Sequence, residues 1–304
     1  MKPSLLIVGG SYFAGRVLVE DLHKIGDFRI FVLNRGNRPL NLKGVTELRA
    51  DRQDGPALRR VIPHEQWAGV IDFCAYTDRE VELLLSIPAV QSTDRYILIS
   101  TASVYQDSHK LPLLETSALL TAPRPELGPA ATYGFDKCRA EAAVIKTCRT
   151  EGPHWTILRP AIVYGRYNYA PRESYFFNLV QKGETVVIPK KALALFQFVL
   201  VDDLARIIRC CLETAVARNT IFNVAAPELI SYARYMEVLA EITAERIPVL
   251  PMSVREIDAR RIPLPFPLDS HIIISTERLV RALDFEYTEF TAGMGQTWQW
   301  FTGA

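Results

Sequence analysis

The chain has 304 residues, 49% hydrophobic and 23% charged, which supplies a large core for one domain or two fused lobes and excludes a largely disordered protein. Thirty-five Lys and Arg against 34 Asp and Glu leave a net charge of +1, so the chain carries no basic footprint for nucleic acid or an anionic membrane, and a small-molecule partner is expected. No apolar run approaches the roughly 18 residues of a membrane span, and the five cysteines include no C-x-x-C pair; a cytoplasmic protein with reduced thiols and no metal is expected.

In chain order, Leu5-Leu6-Ile7-Val8 is a short apolar run ending in Gly9-Gly10. Helical periodicity follows from Ala14 to Leu22, and then a second apolar run at Ile30-Phe31-Val32-Leu33. Glu47-Leu48-Arg49-Ala50 reads as a further short strand, and Val70–Cys74, Tyr96–Ser100 and Trp155–Leu158 repeat the theme, each after a helix-compatible segment. Strands apolar on both faces that alternate with helices predict an α/β fold, a Rossmann-type doubly wound parallel sheet. Beyond Gly165 the alternation loosens. Residues 170–195 and 225–275 are richer in Pro and aromatic residues, with Ile262–Pro267 the least regular stretch. The expected organisation is a dinucleotide-binding domain over 1–165, with returning segments near 196–225, and a smaller lobe from 166–195 and 226–304 above the carboxyl ends of the strands.

The glycine turn contributes Gly9, Gly10, Ser11, Tyr12, Phe13 and Gly15 at the join of first strand and first helix, where backbone amides and a helix N-terminus can meet a pyrophosphate. After the second strand, Asn34, Arg35 and Arg38 offer cations where an NAD enzyme usually has a carboxylate, which favours NADP over NAD; an exposed basic loop is the other reading. Asp51 and Arg52, after the third strand, are placed at the edge of the adenine pocket, or Asp51 or Asp54 caps the next helix. Tyr133 and Lys137 stand four apart on one helical face, a spacing that suits proton transfer because a neighbouring ammonium lowers a phenol's pKa, although a solvated helix face has the same spacing.

With these pieces in order, the chain resembles the extended short-chain dehydrogenase/reductases, the NAD(P)-dependent epimerase/dehydratase group that mostly acts on nucleotide sugars. The likeness runs almost end to end: Ser100–Tyr105 is similar to the family's Ser/Thr-rich strand end before Val-Tyr, Leu158–Gly165 to its Arg-Pro-x-x-Val-Tyr-Gly segment, Phe198–Ala205 to Phe-Val-x-Val-x-Asp-x-Ala, and Ile221–Ala225 to Tyr-Asn-Ile-Gly. Ser275–Leu279, Leu283-Asp284-Phe285 and Trp298–Phe301 fall where that family closes its second lobe. The resemblance implies that Thr101 bonds the substrate oxygen, Tyr133 is the acid/base, and Lys137 holds the nicotinamide ribose and lowers the Tyr133 pKa. It places Pro160 and Val163 near the nicotinamide, and Cys74, Ala75 and Tyr76 along the pyrophosphate and ribose path, with Ser103 as a second polar contact. A homodimer through the helix read at 132–150 is implied as well; its apolar positions Ala140, Ala143, Val144 and Cys148 read equally as a buried intrachain helix.

Two departures from the family pattern stand out. Tyr12 occupies the middle glycine position of the turn, as in an atypical subgroup that includes chloroplast stem-loop RNA-binding proteins. Ala102-Ser103 stands where sugar 4,6-dehydratases have Asp-Glu, which disfavours dehydration. The expected activity is therefore reduction or epimerisation at a carbinol or keto carbon of a nucleotide-linked small molecule, the alternative being a non-catalytic nucleotide- or RNA-binding protein. For the substrate, Arg166, Arg172 and Gln197 are candidates, the arginines as bidentate partners of a diphosphate or as surface salt bridges. The aromatic stretch Tyr164, Tyr167, Tyr169, Tyr175, Phe176 and Phe177 reads equally as a stacking surface and as lobe core.

Overall fold

The computed structural model describes residues 2–149, 152–190 and 194–303. The chain runs β1 (Ser4–Val8), α1 (Phe13–Ile25), β2 (Arg29–Asn34), β3 (Val45–Arg49), α2 (Gly55–Val61), β4 (Trp67–Asp72), α3 (Asp78–Leu85), a one-turn α4 (Pro88–Gln91), β5 (Arg95–Ile99), α5 (Tyr133–Thr147) and β6 (His154–Pro160). It continues through β7 (Ile162–Tyr164), α6 (Glu173–Gln181), β8 (Val186–Pro189), β9 (Phe198–Leu200), α7 (Val201–Glu213) and β10 (Thr220–Val224). The remaining elements are α8 (Tyr232–Thr243), β11 (Val249–Met252), α9 (Val254–Ala259), α10 (Glu277–Leu283) and α11 (Phe290–Thr302). Thr150, read as the end of the Tyr-Lys helix, and residues 191–193 of the segment read at 170–195 lie outside the described residues.

Seven strands form the main sheet in the order β10-β6-β5-β4-β1-β2-β3, with every pairing parallel. The doubly wound sheet expected from the apolar runs is there, and its cause is visible in burial. β1 and β5 are buried along their whole length because both faces are covered. Val17, Leu18 and Leu22 of α1 pack with Leu204, Ile207 and Ile208 of α7 on one face. Val81 and Leu84 of α3 pack with Ala140, Ala143 and Val144 of α5 on the other. Chain order reverses between β1 and β4, which opens a crevice at their carboxyl ends.

A second core lies above that crevice and is dominated by rings: Phe176, Phe196, Phe198, Tyr235, Phe266 and Phe290. β7 pairs with β9, and β8 with β11, in two small parallel sheets. Of the aromatic stretch, Tyr164, Phe176 and Phe177 go into this core, while Tyr169 stays 62% exposed. The lobes interleave along the chain. β10 returns to the main sheet beside β6, and Leu279 and Phe285, within the range assigned above to the smaller lobe, pack into the core formed by α1 and α7.

Candidate active site

Thr101 follows β5 and caps a short 3-10 turn, its hydroxyl accepting from Ser103 N at 3.1 Å and donating to Ser103 Oγ at 3.2 Å. The first turn of α5 lies directly on that turn because residue 134 is glycine; a Cβ there would run into the Ser103 carbonyl oxygen and Leu120. Close approach sets Tyr133 beside Thr101. Both line a cavity of about 980 Å³, together with Ser103, Lys137, Pro160 and Val163.

Burial dominates the electrostatics at this corner. Lys137 is 1% exposed and donates from Nζ to the carbonyl oxygens of Ala75 and Ile99, each at 2.8 Å. Burial pulls its pKa down to about 8, against the pull of Asp72 and Cys74 in the other direction. The Tyr133 phenol is shifted upward by burial, with the Thr101 hydroxyl opposing, Tyr169 adding and Arg172 opposing. The Lys137 ammonium is held by the strand-end carbonyls of Ala75 and Ile99, on the same cavity wall as the Tyr133 phenol.

Beneath the strand ends a buried network fixes α5 to the sheet. Arg159 of β6 donates from Nε to Glu141 Oε1 at 3.0 Å and from Nη1 to the Tyr105 hydroxyl at 2.9 Å. Glu141 also accepts from Ser100 Oγ, and Tyr105 donates to Asn223 Oδ1. Arg159 and Glu141 are at most 2% exposed, and burial of a charge at this depth requires such pairing. The network ties β5, β6, β10 and α5 into one frame under Thr101 and Tyr133.

The glycine turn has the chemistry for an anion. No side chain caps α1 and its first turn holds no acid, so the amides of Phe13 and Ala14 are left open with the positive end of the helix. A Cβ at residue 15 would strike the Gly9 carbonyl, so the turn closes this tightly only with glycine there. These features fit the pyrophosphate of a dinucleotide. Arg38 lies over the Tyr12 ring at 4.0 Å, beside the turn. Asn34 is held by Glu47 at 3.2 Å and accepts from Gly36 N, which shapes the loop bearing the exposed Arg35.

Other candidates are placed elsewhere. Arg52 is not free for an adenine pocket: it grips buried Asp72 at 2.7 and 3.0 Å and donates to the Glu80 carbonyl. Asp51 is exposed and accepts from Gln53 N, while Asp54 caps α2. Cys74 packs against Gly9 from below with its thiol pushed up to about 11 by burial, and Tyr76 lines the cavity with its ring 5.0 Å from Lys137 Nζ. Arg166 pairs with Glu20 and Asp202, as in its salt-bridge reading, and does not line the cavity. Gln197 is buried away from the cavity lining and bridges the Ala226 carbonyl and Ile274 N. Arg172 does line the cavity, and donates to the Val163 carbonyl at 3.1 Å.

The cavity is also walled by His109 and Arg124 from the 105–131 loop and by Asp269 and His271. Sequence reading missed these four because none sits at a characteristic spacing. The one available signal was the irregular Pro-rich stretch, whose Pro265 and Pro267 also face the cavity.

A parallel sheet whose order reverses at an open helix N-terminus is the architecture of dinucleotide-dependent α/β enzymes. The chain belongs to the NAD dependent epimerase/dehydratase family, whose model matches residues 5–225, so it is an enzyme of the NAD(P)-dependent short-chain dehydrogenase type, as its resemblance implied. Chloroplast stem-loop binding protein of 41 kDa b from Arabidopsis thaliana is 26% identical over 305 residues, which covers 94% of this chain and 75% of that protein. UDP-glucose 4-epimerase of Thermotoga maritima, solved with UDP-glucose, shares the fold with a TM-score of 0.80 at 19% identity over 99% of both chains. The dTDP-glucose 4,6-dehydratase of Bacillus anthracis, solved in complex with NAD, gives 0.81 at 16% identity over 99% of this chain and 97% of that one.

Proposed function

We propose that the protein is an oxidoreductase or epimerase acting on a carbinol or keto carbon of a small nucleotide-linked molecule, with a nicotinamide dinucleotide. One observation carries the reading: Thr101, Tyr133 and Lys137 meet at one cavity wall, beside Pro160 and Val163. The dinucleotide, when bound, supplies or accepts the hydride. Tyr133 donates or removes the proton on the substrate oxygen, and the Thr101 hydroxyl polarises that oxygen by exchanging its Ser103 contact for it. Lys137 would hold the nicotinamide ribose, and its pKa of about 8 leaves it a donor at neutral pH. The amides of Phe13 and Ala14 would receive the pyrophosphate. Ala102 and Ser103 bring no carboxylate to the strand end, which supports hydride chemistry over elimination of water.

NADP as the preferred dinucleotide rests on Arg35 and Arg38 in the loop after β2. A cytoplasmic location and a homodimer through α5 belong to the same proposal; among the described residues no helix is long and apolar enough to cross a membrane. The nucleotide-linked substrate is supported by the relatives solved with UDP-glucose and with UDP-glucuronic acid and NAD.

The test joins two measurements. Denatured protein is assayed for released NAD(H) and NADP(H), and empty protein is titrated with NADPH, before and after Tyr133→Phe. Dinucleotide bound by both forms, with turnover on UDP-sugars or ketones reduced at least ~100-fold by the substitution, supports the reading. Dinucleotide bound by neither form sinks it, and unchanged turnover removes Tyr133 from the chemistry.

A further inference from the structure

Across the mouth of the glycine turn, three side chains from separate stretches of chain form one column. The Arg38 guanidinium lies 4.0 Å from the Tyr12 ring centroid. Tyr12 in turn stacks on Tyr169 with centroids 4.6 Å apart and planes 16° from parallel. Phe13 meets the same Tyr169 ring edge-on at 6.1 Å. Tyr169 belongs to the loop between β7 and α6, so the column joins the first lobe to the second. Its ring also reaches the catalytic corner: Tyr169 lines the cavity with Tyr76 and Tyr133, and it is close enough to raise both of their phenol pKa values. The cavity walls begin at Phe13, and Gly9 to Tyr12 lie outside them. Tyr169 therefore stands on the line between the N-terminus of α1 and Tyr133, the line a dinucleotide must follow with its pyrophosphate at one end and its nicotinamide at the other.

The backbone around Tyr169 is pinned. The Tyr167 hydroxyl donates to Glu20 at 3.0 Å, its ring carries Arg16 at 4.2 Å, and Trp300 meets it edge-on at 5.4 Å. Asn168 donates to both Glu173 oxygens at 2.9 and 3.0 Å and accepts from Ala170 N. Between these anchors the Tyr169 side chain is 62% exposed, so its ring can swing into solvent by rotation about χ1 while the loop stays in place. Rotations of exposed side chains take picoseconds to nanoseconds, far faster than ligand binding.

We propose that Tyr169 is a gate on the dinucleotide: stacked on Tyr12 it occupies the cofactor's path, and its ring must turn away before the cofactor seats. The inference rests on the dinucleotide-dependent reading above. It also gives Tyr12 a role at a position where the family turn has glycine, as the face against which the gate closes. Because opening is fast, the closed stack lowers the apparent association rate and the apparent affinity by the open fraction and leaves dissociation unchanged.

Stopped-flow quenching of protein fluorescence by NADPH, on the wild type, Tyr169→Phe and Tyr169→Ala, tests this. Tyr169→Ala should associate ~10-fold faster and bind ~10-fold tighter, about 1.4 kcal/mol, at an unchanged dissociation rate. Tyr169→Phe keeps the stacking ring and should stay within about twofold of the wild type. An alanine variant with the wild-type association rate, or with faster dissociation, overturns the gate; the second result would make Tyr169 a residue that holds the cofactor. NADPH and NADH bound by none of the three proteins would overturn the gate and the dinucleotide-dependent reading together, whereas binding at equal rates overturns the gate alone.

Discussion

At the scale of single residues, Lys137 shows how a familiar spacing predicts position and leaves the local electrostatics to burial. Four residues from Tyr133 on one helix, it reaches the same cavity wall, yet its ammonium is spent on two carbonyls and its pKa falls to about 8. That shift predicts a pH dependence of stability. Below pH 8 both folded and unfolded chains carry the proton, and the cost of burying it is fully present. Between 8 and the ordinary value of 10.5 the unfolded chain keeps a proton that the folded chain releases, so this contribution to stability rises with pH. Urea midpoints of wild type and Lys137→Met at pH 7.5 and 9.5 should show the wild type gaining on the variant as pH increases, and parallel behaviour would contradict the assignment. The roles of Arg52, Arg166 and Gln197 were not legible in the sequence for a related reason. Each partner that claims them, Asp72, Glu20 with Asp202, or Ala226 with Ile274, is distant in sequence and comes near only through folding.

At the scale of elements, strands and the Tyr-Lys helix were readable because a sheet covered on both faces demands continuous apolar runs, and these occur at β1, β2, β4, β5 and β6. Boundaries moved by a few residues: the helix read from Ala14 to Leu22 spans Phe13–Ile25, and the strand read at Glu47–Ala50 spans Val45–Arg49. What periodicity could not show is how near two elements lie. α5 rests on the turn after β5 only because residue 134 lacks a Cβ. Gly134→Ala should cost about 1–3 kcal/mol by overpacking against a backbone atom that cannot yield. It should also lower turnover more than tenfold by lifting Tyr133 from Thr101. Chemical denaturation and steady-state kinetics check the two together; full activity would mean that the helix and turn shift as one body.

For the whole molecule, the near-zero net charge bears on the choice between a small-molecule enzyme and the RNA-binding alternative. A net charge of +1 supplies no long-range attraction for a phosphate backbone, whose binding depends on how many phosphates are neutralised. Binding of a structured RNA hairpin should therefore be weaker than ~10 µM at 0.15 M salt, with a shallow salt slope. A tight, steeply salt-dependent complex would favour the RNA-binding reading. The interleaving of the lobes was only partly legible, since Leu279 and Phe285 give no local hint that they rejoin the first core. That interleaving bears on synthesis. A nascent chain is released from its N-terminus onward, and domains tend to fold as units when complete. Here the edge strand β10 arrives only at residues 220–224, and the α10 helix that packs beside it comes some fifty residues later still. Between the synthesis of β6 and that of β10, some sixty residues, the growing polypeptide holds β6 as an unpaired edge, the kind of surface that invites pairing with another chain.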